Sequence, residues 1–281
     1  METDFYWLLF AAALLALVLW EVLRPWRNAS RRLARRWANH ALLFGISSAA
    51  ATVISRATPL TIALLVSNSR FGLLNRNWLP VSVRCILGFL LIDLLRYALH
   101  RGFHCVPALW RVHQVHHSDP HLDLSTGIRN HPLEALVAQI PIGLTIALVA
   151  PPPMAVLAAE MLALLSAFFT HANANLPSWL ERCLKLVMVT PRIHRIHHSE
   201  EIGEQNANFG EILPCWDRMF GTYLDAPAAD FDQMRLGLKE AAGQATGGLV
   251  FLLAEPFRSR RATHDLQDRQ RALLAKARVA E

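Results

Sequence analysis

Five long apolar runs dominate the chain and decide which solvent it folds in. Residues Phe5 to Leu23 are almost wholly apolar. At about 1.5 Å per helical residue, such a run covers a hydrocarbon core of roughly 30 Å. A second run extends from Ala41 to about Val66, broken by Arg56 and Pro59, which points to a kinked or re-entrant helix. A third runs from Val81 to Leu99. The fourth and fifth, Leu133 to Ala150 and Met154 to Thr170, are separated only by Pro151, Pro152 and Pro153. That triplet cannot continue a helix and reads as a tight hairpin. Composition agrees: 18% of residues are charged, against roughly a quarter in soluble domains. The four cysteines stand far apart without a CxxC pair, so neither a zinc ribbon nor a disulfide framework is indicated. The expected fold is an all-α membrane protein with about four to five transmembrane helices.

The net charge of +6 gathers just after the first run, in Arg24, Arg27, Arg31, Arg32, Arg35 and Arg36. By the positive-inside rule this block marks a cytoplasmic end and puts the N-terminus outside. The acidic start (Glu2, Asp4), with no small-x-small site after the run, argues against a cleaved signal peptide. Because the arginines are accounted for by topology, no nucleic-acid partner is expected. Five crossings from an outside N-terminus place His100, the segment Arg101 to Asn130, and everything from His171 onward on the cytoplasmic side. Apolar density falls after Thr170, and the last stretch, Phe257 to Glu281, has a basic amphipathic pattern.

The histidines gather at that same membrane face. His100 and His104 stand four apart, so on a helix both rings point to one side. His113, His116 and His117 form an HxxHH pattern, which returns 81 positions later as His194, His197 and His198. Positions i, i+3 and i+4 fall within an arc of about 100°, so three rings can face one centre. At 13 histidines in 281 residues, a chance HxxHH is expected only about 0.03 times. His131 and His171 lie between the two copies, while His40, His121 and His264 read as ordinary surface or core residues. So many imidazoles packed without a metal would leave donors and acceptors unmatched. Eight or more imidazoles with no clustered thiol exceed a closed structural zinc site. They are enough for two octahedral-leaning ions, each with an open position, which suggests oxygen activation rather than hydrolysis. Asp93, Asp123, Glu134 and Asp217 are of the right type to accept from imidazole N–H groups. For Asp93, an ion pair with Arg96 is an equally good reading.

The boxes HRGFH, HQVHH and HRIHH, in that order and each attached to an apolar run, resemble those of the fatty acid hydroxylase/sterol desaturase superfamily of integral-membrane di-iron enzymes. Trp110, Ser118, the segment RNHPLE, Pro191 and the stretch from Asn208 to Tyr223 are similar to the family's pattern as well. The resemblance covers about Asp93 to Asp225. It implies metal ligands at His100, His104, His113, His116, His117, His194, His197 and His198, with His171 as a ninth and His131 as a weaker tenth. Asn175, four after His171, is placed to hold a metal-bound water or to cap a helix. The first two runs match only in character.

The resemblance divides the chain into N-terminal transmembrane helices (1–80), a catalytic region (81–225) and a basic cytosolic tail (226–281). It implies a non-haem di-iron monooxygenase that hydroxylates or desaturates a C–H bond of a lipid, with O₂ as co-substrate. The lipid could be a sterol, a fatty acyl chain or a related molecule. No cytochrome b5-like signature is visible, so electrons are expected from a separate donor, cytochrome b5-like or a ferredoxin with its reductase. A bacterial inner membrane is the favoured location, with the endoplasmic reticulum as the other. Trp110, Trp179 and Trp216 read as interfacial anchors before lipid-entrance residues. A histidine-rich membrane metal transporter is the alternative, but it calls for ionisable residues along the middle of the spans. The runs hold chiefly Arg56, Asp93 and Glu160.

Overall fold

The computed structural model of the chain describes residues 2–28, 33–69, 71–76, 78–241 and 246–258. Among these, helices are the regular elements, joined by two isolated bridges, Pro25 with Ala174 and Ser199 with Leu236. The bundle consists of α1 (Glu2–Leu23), α2 (Leu33–Ser55), α3 (Pro59–Ser67), α4 (Val81–Cys105), α6 (Pro132–Val149) and α7 (Pro153–His171); α5 (Pro107–His117) lies across one end.

Among the described residues, three segments are both long and apolar enough to cross a membrane: Leu33–Ser67, Pro132–Val149 and Pro153–His171. Their outer faces expose large apolar side chains such as Leu64, Ile140, Leu144 and Leu162, as lipid contact requires. The chain is an integral membrane protein. The other two expected runs form helices that differ in detail. The described apolar part of α1, Leu8–Leu23, is shorter than a full span. Helix α4 outruns its apolar stretch by six residues and carries Arg84, Asp93 and Arg96.

Kinking, rather than re-entry, resolves the second run. Arg56 takes a left-handed φ of 56°, and Thr58 caps α3 by accepting from Thr61 N at 3.1 Å, with Pro59 in the first turn. The groups freed by the break are met from α6, where Gln139 Nε2 donates to Ser55 Oγ and to the Ala57 carbonyl, both at 2.7 Å. α2 and α3 then follow α6 in one direction: Ser47 bonds Asn130, Ile62 faces Gly143, and Gly72 meets Ala150. Ala150, at φ 50°, and the prolines behind it turn α6 into α7 as expected. α7 runs back beside α1 and α4, with Trp20 stacked on Phe169 and Gly88 against Ala155. Ile92, Ile142, Ile146 and Val156 fill the centre.

As a result α1, α4 and α7 end, and α6 begins, at one end of the bundle. That end carries a cap made of α5, α8 (Ser178–Leu184), α9 (Pro191–His197), α10 (Ile202–Gln205), α11 (Cys215–Met219) and α12 (Leu249–Ala254). Phe251 and Leu252 of α12 pack on Leu43 and Val115, tying α2 to α5. Part of the arginine block does structural work here. Arg27 donates to the carbonyls of Phe231, Asp232 and Met234. Arg36 bonds Asp119 and Asp123, both at 2.7 Å. Arg129, fully buried, reaches Val115 O, Ser118 Oγ and Asp119. Burial opposes ionisation of Asp119, but Arg129 and Arg36 outweigh it and hold the carboxyl well below its usual range. Glu21 of α1 accepts from the backbone N–H of both Leu124 and Asn173. The expected amphipathic tail, with His264, falls mostly on 259–281, outside the described residues.

Gly127 lies directly on the backbone of α7, where a Cβ would run into the Ala167 carbonyl. Gly127→Ala is therefore expected to lower stability by about 1–3 kcal/mol. Gly45→Ala, with nothing within 4 Å of the new methyl, should be neutral or slightly stabilising. Thermal unfolding in detergent compares the two.

Candidate metal centre

Val106, extended ahead of Pro107, ends α4 and turns the chain sharply into α5. The last turns of α4 thereby face the last turns of α5. Across from them, Thr190 caps α9 and Pro191 opens it, so its short run of histidines meets the C-terminal end of α7. All nine box and span-end histidines are buried.

They fall into two groups whose ligand-type atoms lie within 4.8 Å of one another. The first holds His100, His104, His113, His117 and His197; the second holds His116, His171, His194 and His198. The two HxxHH helices contribute in a crossed way. The i, i+4 pair of α5 (His113, His117) joins the first group and His116 joins the second. From α9 and the residue that ends it, the i, i+4 pair (His194, His198) joins the second group and His197 joins the first.

Four rings are fixed by an outward hydrogen bond from Nδ1. His100 donates to the Phe209 carbonyl at 2.8 Å, His197 to Ala207 O at 2.8 Å and His171 to Ala167 O at 2.6 Å. His113 donates to Glu134 Oε1 at 2.7 Å. In a neutral ring so engaged, Nε2 carries a lone pair and no proton. Yet Nε2 of His100 and Nε2 of His197 stand 3.0 Å apart. Two lone pairs at that distance form no hydrogen bond, whereas a cation shared between them satisfies both. In the second group, His171 Nε2 lies 3.0–3.1 Å from the Nε2 atoms of His116, His194 and His198. Burial first, then the neighbouring imidazoles, holds His116, His117, His194 and His198 far below the usual histidine pKa. Burial likewise lowers His197 to about 3. These are neutral nitrogen donors, the form in which imidazole binds iron, copper, nickel or zinc. The donor set therefore fits two metal ions.

A cavity of about 680 Å³ runs up the middle of the bundle to these rings. His100, His113, His116, His171 and His194 form its closed end, and Thr58, Pro59 and Leu60 of the α2–α3 break line the far portion. Broken backbone within a span is tolerated where it borders such a cavity. Both histidine groups thus present rings to the same space.

The remaining site residues expected from the sequence are spread more widely. His131 joins neither group. Its Nδ1 caps α6 by accepting from Leu133 N at 3.1 Å, and its Nε2 lies 3.3 Å from Leu253 O; Pro132 behind it fixes that capping geometry. Asn175 is held by Arg195, which donates to Oδ1 at 2.6 Å. Glu134 buttresses His113 directly. Asp217 works one step further back, accepting from Phe209 N, Gly210 N and Thr222 Oγ1, so that it shapes the loop whose Phe209 carbonyl receives His100. Asp93 accepts from Trp216 Nε1 at 2.8 Å, while Arg96 pairs with Glu160 and Glu211 instead. Asp123 belongs to the Arg36 network. Trp110 is buried against the rings of His104 and His117, neither an interfacial anchor nor an entrance residue. Trp179 is exposed. Three of the four groups that orient rings are backbone carbonyls, for which a sequence offers no signal. The carbonyl of Phe209 belongs to the stretch matched by resemblance, and this is the only trace of its role.

The fold and site define a class: an integral-membrane helical protein whose polyhistidine centre closes an internal cavity. Residues 85–222, just under half of the chain, match the model of the family described as fatty acid hydroxylase. An ornithine lipid hydroxylase from Rhizobium tropici is 31% identical over 182 residues, 63% of this chain and 51% of that protein. An alkylglycerol monooxygenase from Danio rerio is 34% identical over 180 residues, 61% of this chain and 36% of that protein. Methylsterol monooxygenase 1 from Rattus norvegicus is 28% identical over 167 residues, 58% of this chain and 54% of that protein. The chain spans about half the length of the first and third of these and about a third of the second. No solved structure matches it significantly.

Removing the buttresses should act on metal retention. Glu134→Ala and Asp217→Ala are each expected to weaken metal binding by about 10–100-fold. His131→Ala, which loses only a helix cap worth about 1 kcal/mol, should keep its metal. Elemental analysis after dialysis against a graded chelator series measures all three.

Proposed function

We propose that the protein is a membrane-bound di-iron monooxygenase that hydroxylates a C–H bond of a lipid held in the central cavity, using O₂ and two external electrons. The observation that carries this reading is the junction of nine buried imidazoles in two groups with a lipid-sized cavity. The relatives' names support it, since all three are hydroxylases or monooxygenases of lipids or sterols.

The first group of five histidines and the second group of four would each hold one iron. When bound, the iron pair supplies the oxygen reduction and C–H oxidation that no side chain here can perform. The chain contributes order and exclusion. Phe209, Ala207 and Ala167 carbonyls and Glu134 fix the tautomers of four rings, so their Nε2 lone pairs point inward before any ion arrives. The cap buries the rings opposite the cavity and keeps bulk water away. The bundle walls admit an alkyl chain and hold a chosen carbon beneath the closed end. Desaturation is the same chemistry with a second hydrogen removed in place of hydroxyl transfer. Electrons would come from a separate donor protein docking on the cap. The cap would face the cytoplasm, as the arginine block after the first span indicates, and a bacterial inner membrane is the favoured setting.

Protein purified in detergent and reconstituted anaerobically with Fe(II) should retain close to two irons per chain. Its expression should add hydroxylated species to the host lipids, read by mass spectrometry. His116→Ala and His197→Ala, one from each group, should abolish those species and lower the iron content. Retention of zinc alone, with no new lipid species, would overturn the reading.

A further inference from the structure

The cavity is not uniformly apolar. The charged side chains that line it are Arg96, Glu134, Glu160 and Glu211, three carboxylates for one guanidinium. Arg96 stands between two of them, with Nη2 2.6 Å from Glu160 Oε1 and Nη1 3.3 Å from Glu211 Oε2. One carboxylate is sufficient to neutralise a buried arginine, so the second is surplus. Each glutamate spends one oxygen on Arg96. Among the described residues Glu160 Oε2 and Glu211 Oε1 have no protein partner; about a third of each side chain is exposed, and both residues line the cavity. The third carboxylate serves the metal centre. Glu134 is nine-tenths buried, uses Oε1 for His113, and leaves Oε2 buried on the cavity wall with no partner.

Uncompensated carboxylate charge inside a membrane bundle is costly and marks a binding function. Among the described residues that line the cavity no second arginine or lysine meets Glu160 and Glu211, so the compensating group is assigned to the occupant. An ammonium group brings three donors and one positive charge to open carboxylate oxygens. A carboxylate or phosphate headgroup would instead set like charges together in a medium of low dielectric. A neutral hydroxyl gains a hydrogen bond but leaves the charge standing. Resting on the reading of the cavity as the lipid site, we propose that it selects an amphiphile whose polar end is an ammonium cation, held by Glu160 and Glu211 around Arg96. The alkyl chain lies along the apolar remainder of the cavity. Arg96 precedes His100 by one helical turn on α4, so the polar end sits beside the metal centre.

The test uses the full chain, iron-loaded in detergent, with hexadecylamine, hexadecanol and palmitate as probes. Affinity is read from the ligand-dependent shift of the unfolding temperature. Hexadecylamine should bind about tenfold or more tightly than hexadecanol, with palmitate weakest. Glu160→Gln and Glu211→Gln should each bring the amine-to-alcohol ratio to within about threefold. The ratio is taken within one variant, so a general loss of stability does not mimic the effect. Equal or tighter binding of the alcohol, a ratio that survives both substitutions, or binding of none of the three would overturn the proposal. Iron-dependent hydroxylation of a neutral lipid alongside such a result would leave the proposed activity standing and remove only this assignment.

Discussion

Inward-facing lone pairs are the constraint on which the rest of this protein depends. Nine imidazoles cannot be buried edge to edge as charged rings, and as neutral rings they cannot all find donors among themselves. The fold resolves this by giving several of them an outward partner. Once Phe209 O, Ala207 O, Ala167 O and Glu134 Oε1 accept hydrogen bonds from the Nδ1–H groups, the Nε2 lone pairs have no choice of direction. What remains in the middle is a pair of basic, electron-rich hollows. Much of the surrounding architecture serves to place those partners. Asp217 and Asn208 shape the loop that carries the Phe209 and Ala207 carbonyls, and Gly127 allows close contact with α7 just before His171.

The bundle and cap are joined by charge where the boxes could not join themselves. Arg36, Asp119, Asp123 and Arg129 form a buried cluster of two cations and two anions between α2, the segment after α5 and the cap. Such clusters add little net stability compared with an apolar packing of the same shape, but losing one member leaves a buried charge alone. They therefore act mainly on specificity of docking. Here they hold α5 at a fixed angle to the spans, and with it three of the nine histidines.

Much of the fold was legible in the sequence, because hydrophobic length and histidine spacing are local signals. The triple proline forecast the α6–α7 hairpin, and the i, i+4 and HxxHH spacings forecast shared faces. Other features were hidden for identifiable reasons. The kink at Arg56 to Pro59 is settled by Gln139, more than 80 positions away, which pairs the freed groups and so favours a bent span over a re-entrant one. α4 runs six residues past its apolar stretch, because Arg101 and His104 continue the helix into the cap, where tertiary contacts rather than hydrophobic length sustain it. His131 resembled its neighbours by type alone, but its position before Pro132 makes it a helix cap. Arg27 and Arg36 read as topology markers, and their role in clamping the cap depends on partners remote in sequence.

The crossed contribution of α5 and α9 makes each of these helices a ruler. Adjacent residues, His116 and His117 on one and His197 and His198 on the other, point to different groups. The separation of the two groups is therefore written into the rise and twist of a single helical turn, which covalent geometry holds far more tightly than side-chain packing does. Two such rulers, laid across each other, calibrate the same interval twice. Drift in the surrounding spans over evolutionary time can reshape the cavity and change what it admits, while the interval between the two centres stays as it is.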